Sequence, residues 1–337
     1  MMKEAMLYRK LKDDLVQCQL CAHRCTIKPH RVGICGVRRN EEGSLYTMVY
    51  AKAVAVHVDP IEKKPLYHFL PGSASFSIAT IGCNFRCLFC QNADISQASK
   101  AGGWGYPTRD FPPEEVVAGA KRYNCASISY TYTEPTIFFE YAYDTALLAN
   151  QQGIKNIFVT NGYMTKEALE AIEPYLDAAN VDLKSFNPKF YRRIVGARLE
   201  PVLETIERMH EMGVWVEVTT LIIPGQNDGE EELRGIAGFI AGIDVEMPWH
   251  ISRFVPHYKM RSTPFTPVET IHRAAEIGHE EGLHYVYAGN VPGDPHENSY
   301  CPHCGQMVIR RLGYHTHSEL KGRACPSCGE ELAFILN

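Results

Sequence analysis

Residues 80–92 read TIGCNFRCLFCQN and place three cysteines, Cys83, Cys87 and Cys90, within eight positions. An apolar run of strand type ends directly before them, and a glycine opens the loop that carries them. In parallel α/β folds, functional sites form at the carboxyl ends of the strands. The C-x3-C-x2-C spacing lets one short loop hold three corners of a [4Fe–4S] cubane and leaves the fourth iron open. A zinc site with a distant fourth ligand and three buried structural cysteines are the alternatives.

Outward from this loop, short apolar runs of β type alternate with helical patterns. The runs cover residues 76–81, 126–132, 156–160, 178–184, 214–223 and 249–254, with residues 284–289 as a seventh candidate. Helices are predicted over residues 111–124, 134–153, 165–176, 200–212, 228–241 and 266–281. Such alternation predicts a parallel α/β sheet, and six units are fewer than the eight of a closed barrel. We therefore expect a partial (β/α)6 TIM-like barrel, with a doubly wound sheet as the competing architecture.

Polar residues recur where the predicted strands end. After the second to fourth runs the candidates are Thr131, Thr133, Glu134, Thr160, Asn161, Asp182 and Lys184. The fifth run offers either Glu217 and Thr219 or Val218 and Thr220, and the sixth offers His250, Ser252 or Arg253. Any one of them alone fits a solvated loop or a helix cap as well as it fits a site. Together they indicate function, because the carboxyl ends of neighbouring parallel strands meet at one edge of a sheet.

The cysteine loop, with Phe89 before its last cysteine, resembles the signature of the radical S-adenosylmethionine (SAM) superfamily. The resemblance implies that Cys83, Cys87 and Cys90 ligate a [4Fe–4S] cluster, and that SAM chelates the fourth iron through its amino and carboxylate groups. It also implies that an electron from the reduced cluster breaks a carbon–sulfur bond of SAM. The resulting 5′-deoxyadenosyl radical would abstract hydrogen from a substrate, and an external electron donor would be a partner.

The segment TEP, residues 133–135, resembles the glycine-glycine-glutamate motif of glycyl-radical-enzyme activases. This sequence departs from that motif, because Tyr132 and Thr133 replace the glycines. The resemblance implies that Glu134 accepts hydrogen bonds from the ammonium group of SAM.

The segment VDLK resembles the Asp-x-Lys motif of the pyruvate formate-lyase activase, which implies that Asp182 and Lys184 lie near the SAM carboxylate. The segment TNG, which contains Asn161, fits the same branch. The motifs CQLCAHRC, TYTEPTIFFEY, WHISRFVPHYKM and YVYAGNVPG together resemble the radical SAM enzymes of the AmmeMemoRadiSam system over nearly the whole chain. That family occurs together with Memo-like and AMMECR-type proteins, which implies them as partners and leaves the substrate open.

Two C-x2-C pairs, separated by 20 residues, lie at Cys301, Cys304, Cys325 and Cys328. This spacing predicts a tetrahedral zinc site of the zinc-ribbon type. We expect a structural role, because four thiolates fill the coordination sphere of zinc. A [4Fe–4S] cluster or a rubredoxin-type iron site is the alternative.

Another group of four cysteines, Cys18, Cys21, Cys25 and Cys35, has the spacing C-x2-C-x3-C-x9-C. We expect it to bind metal, because cysteines in a reducing compartment serve metals or catalysis rather than disulfides. Three cysteines within eight residues suit an iron–sulfur cluster, and the glycine after the fourth suits a zinc knuckle. A second [4Fe–4S] cluster and a zinc ion therefore both stay open for this group.

The chain of 337 residues carries a net charge of −5, with 45% hydrophobic and 22% charged residues. This balance is typical of a globular protein and argues against nucleic acid as a partner. The first residues are charged and lack the apolar core of a signal peptide, and no apolar run is long enough for a membrane span. We therefore expect a cytoplasmic protein without membrane contact.

Three regions follow from these patterns. Residues 1–58 form a cysteine-rich metal-binding segment that ends in one predicted strand, residues 46–58. Residues 59–295 form the radical SAM core, and residues 296–337 form the zinc ribbon. The segment AGGWGYP, residues 101–107, is interpreted as a mobile loop over the site.

The leading hypothesis is an enzyme that cleaves SAM reductively. Its target would be a protein glycine, as for activases, a partner protein of the same system, or a nucleotide or small molecule. The alternative is a non-enzymatic iron–sulfur electron carrier or a zinc-ribbon adaptor.

Overall fold

An eight-stranded sheet lies at the centre of the structure, a computed structural model that describes residues 2–102 and 105–336. The strands, numbered β1 to β8, are Ala55–Pro60, Ala74–Ala79, Ser127–Tyr130, Lys155–Thr160, Ala178–Asp182, Trp215–Ile222, Trp249–Arg253 and Val286–Gly289. They lie side by side in chain order. β1 pairs antiparallel with β2, and each later pair is parallel. The predicted loop at 101–107 contains residues 103 and 104, which lie outside the described residues.

One helix follows each of the strands β2 to β7. The helices, numbered α1 to α6, are Pro113–Arg122, Phe139–Asn150, Lys166–Ile172, Glu200–Glu211, Glu230–Ile243 and Val268–Glu280. These six β/α units confirm the predicted partial (β/α)6 barrel, and the seventh candidate run is the last parallel strand, β8. The sequential order decides against a doubly wound sheet, in which the strand order reverses at a switch point.

Packing follows from the spacing of apolar side chains. In α4, the buried residues Val202, Ile206 and Met209 recur at helical spacing and form one apolar face. A Cβ on Gly119 in α1 would lie 2.5 Å from the ring of Phe76 in β2, so the glycine permits close approach of helix and sheet. Short helical segments lie at Ile61–Lys63, Ala93–Ser96, Ala98–Ala101, Pro135–Phe138, Glu173–Tyr175, Pro188–Phe190, Tyr191–Val195 and Pro295–Glu297. Within the described residues, no helix has the length and apolar character needed to cross a membrane.

The N-terminal segment consists of short antiparallel strands. One sheet joins Tyr8–Lys10, Val16–Cys18 and Thr26–Ile27, another joins Lys3–Glu4, Ser44–Thr47 and Arg38–Glu41, and Lys52–Ala53 pairs with Arg109–Asp110. The prediction of a single strand over residues 46–58 is wrong, because this stretch is divided among three strands. A turn interrupts it: the backbone N–H of Lys52 donates to Val49, and Ala51 has a φ of 56°.

A buried ion pair fastens the N-terminal segment to the barrel. Nη1 of Arg38 lies 2.9 Å from both carboxylate oxygens of Glu140 in α2, and both side chains are buried. The backbone N–H of Met6 also donates to Glu140. Removing one partner of such a pair costs about 3–5 kcal/mol, because the other charge is left buried alone. The predicted limit between residues 58 and 59 falls inside β1, and the domain limits stay predictions.

The C-terminal region forms a small antiparallel sheet. Its strands are Ser299–Tyr300, Met307–Leu312 and His315–Ser318. The ring of Phe334 stacks on the ring of His68, with centroids 4.0 Å apart. The guanidinium of Arg311 donates to the carbonyl oxygen of Tyr67 at 2.7 Å. These contacts tie the region to the segment between β1 and β2.

Acid is expected to destabilise the protein through His68. This ring is buried, with Nδ1 2.5 Å from the carbonyl oxygen of Ala333 and Nε2 2.5 Å from the hydroxyl of Tyr287. Burial lowers the pKa of His68 to about 4, although the charge of Glu217 opposes the shift. Between that value and the ordinary pKa of about 6.5, the unfolded chain binds a proton that the folded chain does not bind, so stability falls as the pH falls. The loss reaches about 3 kcal/mol near pH 4.

Urea unfolding measured from neutral pH down to about pH 4 tests this expectation. His68→Gln should lower stability at neutral pH but flatten its dependence on pH within the window. His30→Gln, a change of an exposed histidine, is the matched control and should leave the pH dependence as it is. An unchanged slope in His68→Gln would contradict the prediction.

Candidate active site and metal centres

The three cysteines of the central motif lie on the loop that follows β2. The backbone N–H of Phe85 donates to the sulfur of Cys83 at 3.3 Å, and the hydroxyl of Ser96 lies 3.2 Å from the sulfur of Cys90. Nδ2 of Asn161 approaches the sulfur of Cys83 from the end of β4, at 3.8 Å. Hydrogen bonds to the ligand sulfurs of a cluster stabilise their negative charge and set its reduction potential.

The three sulfurs of the loop lack the compact spacing of ligands on a single ion. Thiolates around one tetrahedral zinc are about 3.8 Å apart, because each Zn–S bond is about 2.3 Å long. Thiolates on a [4Fe–4S] cubane lie farther apart than thiolates on one ion, because each of them binds a different iron. Across residues 2–102 and 105–336, two groups of three or more possible ligands have their ligand atoms within 4.8 Å of one another, and neither contains Cys83, Cys87 or Cys90.

Two lysines bring positive charge to the cysteine loop. Nζ of Lys184 lies 2.9 Å from Oδ2 of Asp182 and 5.8 Å from the centre of the Phe89 ring. Burial alone would lower the pKa of Lys184, but the charges of Asp182 and Cys87 raise it above its ordinary value. Burial lowers the pKa of Lys100, and the thiolate charges of the loop oppose that shift. The predicted Asp182 and Lys184 therefore meet the cysteine loop.

Glu134 is buried at the end of β3 and accepts four hydrogen bonds. Its carboxylate receives the N–H and the hydroxyl of Thr136, the hydroxyl of Thr160 and the N–H of Asn161, at 2.5 to 3.0 Å. Burial raises the pKa of Glu134, and these hydrogen bonds oppose the shift. Three of these donors bind Oε1 and one binds Oε2, and because each carboxylate oxygen has about two acceptor positions, Oε2 keeps a position for a further donor. The contact of Glu134 with the SAM ammonium group stays a prediction.

Asn161 connects Glu134 to the cysteine loop. Its backbone N–H binds Glu134, and its Nδ2 donates to Oδ1 of Asn84 at 2.7 Å. Nδ2 of Asn84 is buried and has no hydrogen-bond partner in the part of the chain that the structure describes. Buried donors are normally satisfied, so this amide next to Cys83 suits a ligand that brings an acceptor oxygen, such as a carboxylate.

The turn before Glu134 adopts a glycine-like backbone without a glycine. Tyr132 has a φ of 60°, a left-handed conformation that costs a residue with a Cβ about 1–2 kcal/mol. Its hydroxyl donates to Asp59, and its ring lies 4.7 Å from Nζ of Lys64. Its carbonyl oxygen accepts a hydrogen bond from Nδ2 of Asn92 at 2.7 Å. These contacts stabilise a conformation that glycine, the residue of the resembled motif, would adopt freely.

Two further strand candidates lie in a different buried network. Glu217 accepts hydrogen bonds from the backbone N–H groups of Tyr67 and His68, both at 2.9 Å. Its Oε2 lies 2.6 Å from Nε2 of His250. Burial alone would raise the pKa of Glu217, but the hydrogen bond and charge of His250 lower it. Both residues thus hold the segment between β1 and β2 against β6 and β7.

The C-terminal cysteines form a compact group of four thiols. The sulfurs of Cys301 and Cys328 are 3.7 Å apart, and so are those of Cys304 and Cys325. All four sulfurs lie within 4.8 Å of one another. Because thiolates around one tetrahedral ion are about 3.8 Å apart, this group fits a single metal ion.

A histidine–aspartate group, which sequence analysis did not predict, joins His272 in α6 to Asp294 and His296 after β8. Nε2 of His272 and Nδ1 of His296 lie 2.6 and 2.8 Å from the carboxylate oxygens of Asp294. The imidazoles bind the carboxylate directly, so the group holds the segment after β8 against α6.

The four N-terminal cysteines are also brought together. Cys18, Cys21, Cys25 and Cys35 line one cavity, with Arg38 as a further wall residue. Neither compact ligand group within the described residues includes any of them. Their spacing is therefore wider than that of the C-terminal cysteines.

Several residues around the cysteine loop escaped the sequence analysis. Asn84 follows Cys83 directly, and Ser96 and Lys100 lie six and ten residues after Cys90. Proximity to the cysteines in the sequence was therefore the available signal. Arg38 had no local signal, because its partner Glu140 is 102 residues away.

The sequence pattern of the radical SAM superfamily matches residues 77–237, which include the cysteine loop and the ends of β3 to β5. An uncharacterized protein of Methanocaldococcus jannaschii is 46% identical over 339 residues, covering 99% of this chain and 100% of that protein. The pyruvate formate-lyase-activating enzyme of Clostridium pasteurianum is 26% identical over 180 residues, covering 50% of this chain and 72% of that enzyme. Among solved structures, a radical SAM methyltransferase from Sphaerobacter thermophilus matches with a TM-score of 0.50 at 17% identity, covering 71% of each chain. That last likeness concerns the fold alone.

Proposed function

This chain belongs to the radical SAM superfamily, and we propose on that premise that it binds a [4Fe–4S] cluster, cleaves SAM reductively and abstracts hydrogen from a substrate. Membership implies the cluster and SAM as cofactors. Similarity to a pyruvate formate-lyase-activating enzyme supports an activase-like reaction as the finer form of the proposal.

The observation that carries the proposal is the meeting of the cysteine loop with the polar ends of neighbouring parallel strands. Asn161 at the end of β4 contacts Cys83, and Lys184 after β5 lies close enough to Cys87 for their charges to interact. Glu134 at the end of β3 holds the backbone of Asn161. A carrier or adaptor would not need these buried polar groups beside its thiols.

The residues present fit both cofactors. The widely spaced thiols of Cys83, Cys87 and Cys90 would hold three irons of the cluster. The free amide of Asn84 and the pair of Asp182 with Lys184 support binding of the amino acid part of SAM. When bound, the reduced cluster supplies the electron that breaks a carbon–sulfur bond of SAM and releases methionine and a 5′-deoxyadenosyl radical.

The chain itself positions and shields this chemistry. The rings of Phe85 and Phe89 are buried in the loop among the cysteines and help to exclude water from a reactive radical. The raised pKa of Lys184 keeps its ammonium group charged, so it balances the negative thiolates. The rigid strand ends orient the polar groups, as sites in barrels of this type require.

The proposal also covers the substrate, the partners and the metal of the C-terminal four-cysteine site. We take the substrate to be a protein, either a glycine residue activated as in activases or a side chain of a Memo-like or AMMECR-type partner. An external one-electron donor reduces the cluster in the cytoplasm. Zinc fills the C-terminal four-cysteine site, where the 3.7 Å spacing fits one tetrahedral ion.

Anaerobically reconstituted protein is expected to form 5′-deoxyadenosine when SAM and dithionite are both supplied, and none when either is omitted. Chromatography with mass detection measures the product. Adding the Memo-like or AMMECR-type protein should raise the rate if that protein is the hydrogen donor. An intact cluster that neither binds nor cleaves SAM would contradict the proposal and favour the electron carrier or the adaptor.

A further inference from the structure

Two cysteine groups serve as references for the N-terminal group: the C-terminal group for a single metal ion, and the loop of Cys83 for a cubane. The C-terminal sulfurs lie within 4.8 Å of one another, as one metal ion requires, whereas the loop of Cys83, which serves a cubane in the superfamily, is more widely spaced. Among the described residues, no three sulfurs of the N-terminal group lie within 4.8 Å of one another, although all four cysteines line one cavity. Like the cysteine loop, and unlike the C-terminal group, the N-terminal group therefore lacks the compact spacing of a single-ion site.

A buried guanidinium with unused donors belongs to a residue of this cavity wall. Arg38 is 1% exposed and forms part of the cavity wall. Its Nη1 pairs with Glu140, whereas its Nε and Nη2 have no partner among the residues that the structure describes. A buried donor left unsatisfied costs about 1–3 kcal/mol, so these groups require an acceptor. The sulfurs of an anionic cluster accept such hydrogen bonds, and these bonds set the reduction potential.

The N-terminal cavity shares a wall with the loop of the SAM cluster. His23 lies between Cys21 and Cys25 in the chain and lines the cavity. Its Nε2 donates to the carbonyl oxygen of Asn84 at 3.0 Å. Asn84 is bonded in sequence to Cys83, so a single side chain spans the space between the two sets of ligands.

A second bridge between the two sites runs through the short helical segments after the cysteine loop. The hydroxyl of Ser99 donates to the carbonyl oxygen of Cys35 at 2.9 Å. Ser96, about one turn or about 5 Å earlier, lies 3.2 Å from the sulfur of Cys90. The two ligand sets are thus joined by two short paths, which suits direct passage of electrons.

From these contacts we propose that Cys18, Cys21, Cys25 and Cys35 bind a second [4Fe–4S] cluster, which passes electrons to the SAM cluster. The transfer to the SAM cluster rests on the proposed function. In each transfer the second cluster loses one electron and the SAM cluster gains it. A low-potential one-electron donor, dithionite in the tests below, then reduces the second cluster again. Ile34, beside Cys35, is 52% exposed, so the cavity lies close to the surface that a donor can reach.

Metal content tests the second cluster. Reconstituted wild-type protein is expected to hold about eight irons per chain, four in each cubane, and about one zinc. Changing Cys18→Ala and Cys35→Ala together should lower the iron to about four and keep the zinc. Changing Cys301→Ala and Cys304→Ala together should remove the zinc and keep the iron. About four irons and two zincs in the wild type would overturn the proposal.

Spectroscopy covers the case in which the doubly substituted N-terminal variant does not fold. Reduced wild-type protein should show two electron paramagnetic resonance signals, of which SAM changes one. Arg38→Lys keeps a positive charge opposite Glu140 but loses the free guanidinium donors, so it should lower the reduction potential of the SAM-insensitive signal. Arg39→Lys, next to it in the chain but outside the cavity wall, is the matched control. A single signal, or an unchanged potential in Arg38→Lys, would overturn the assignment.

Electron transfer is tested by reducing the protein, removing the dithionite and then adding SAM. Each reduced cluster stores one electron, so wild type should form about two molecules of 5′-deoxyadenosine per chain and the N-terminal variant about one. A wild-type yield of about one, with the SAM-insensitive signal undiminished, would overturn the transfer. No product from protein that holds about eight irons would contradict the proposed function instead, while the iron count would still support the second cluster.

Discussion

Cys83→Ala is expected to lower 5′-deoxyadenosine formation by more than about 100-fold and to remove about four irons from each chain. Only three thiolates of the loop hold the SAM cluster, and alanine offers no donor in place of the lost one. The change also deprives the N–H of Phe85 and the amide of Asn161 of the sulfur that they contact. The remaining thiols of Cys87 and Cys90 would leave two irons without a protein ligand. Iron analysis and product chromatography on the same preparation measure both effects.

Cys125→Ala is the matched control for this experiment. Cys125 is a buried cysteine outside all three cysteine groups, so its loss creates only a small cavity. We expect it to cost about 1 kcal/mol of stability and to leave iron content and product formation unchanged. Full iron and full product in Cys83→Ala would show that the cluster is held elsewhere.

Glu134→Gln is expected to slow 5′-deoxyadenosine formation by about 100-fold while the iron content stays constant. Oε2 of Glu134 accepts one hydrogen bond, from the backbone N–H of Asn161. In the glutamine variant an amide nitrogen at this position would face that N–H and could not accept its hydrogen bond. An unsatisfied buried N–H and weakened bonds from Thr136 and Thr160 together cost about 3 kcal/mol. Asn161 would shift, and with it the amide that contacts Cys83 and Asn84. The cysteines themselves are unchanged, so the cluster is retained.

Glu167→Gln provides the comparison for this substitution. Glu167 lies in the first turn of α3 and pairs with Arg24 at the surface, where loss of an ion pair costs about 1 kcal/mol or less. We expect normal iron content and a normal rate. Rates of Glu134→Gln within a few fold of wild type would show that the carboxylate charge and the position of Asn161 matter little for SAM cleavage.

The barrel could be predicted from the sequence because its strands are long apolar runs separated by well-formed helical patterns. The run at 214–223, for example, differs from the observed strand Trp215–Ile222 by one residue at each end. The failure at 46–58 has a physical cause. The apolar alternation continues through the turn at Ala51, which adopts a left-handed backbone without a glycine or proline to mark it.

The candidate site was predictable to the extent that chain order equals spatial order. Neighbouring strands in sequence are neighbours in the sheet, so residues after β3, β4 and β5 meet the loop after β2. Two details could not be predicted, because they depend on contacts between segments that are distant in the sequence. Glu134 is surrounded by the protein's own donors, and Glu217 faces the segment of Tyr67 rather than the cysteines.

The attachment of the N-terminal segment has a consequence for how the protein is made. Cys21 forms a β-bridge with Met164, and the hydroxyl of Thr165 donates to the carbonyl oxygen of Gln19, 146 residues earlier in the chain. A ribosome adds about 5–20 residues per second, so these partners follow the first cysteines after about 7–30 seconds. During that time the four thiols emerge without the barrel surface that later covers them. The thiols are therefore more exposed to oxygen in the nascent chain than in the finished protein.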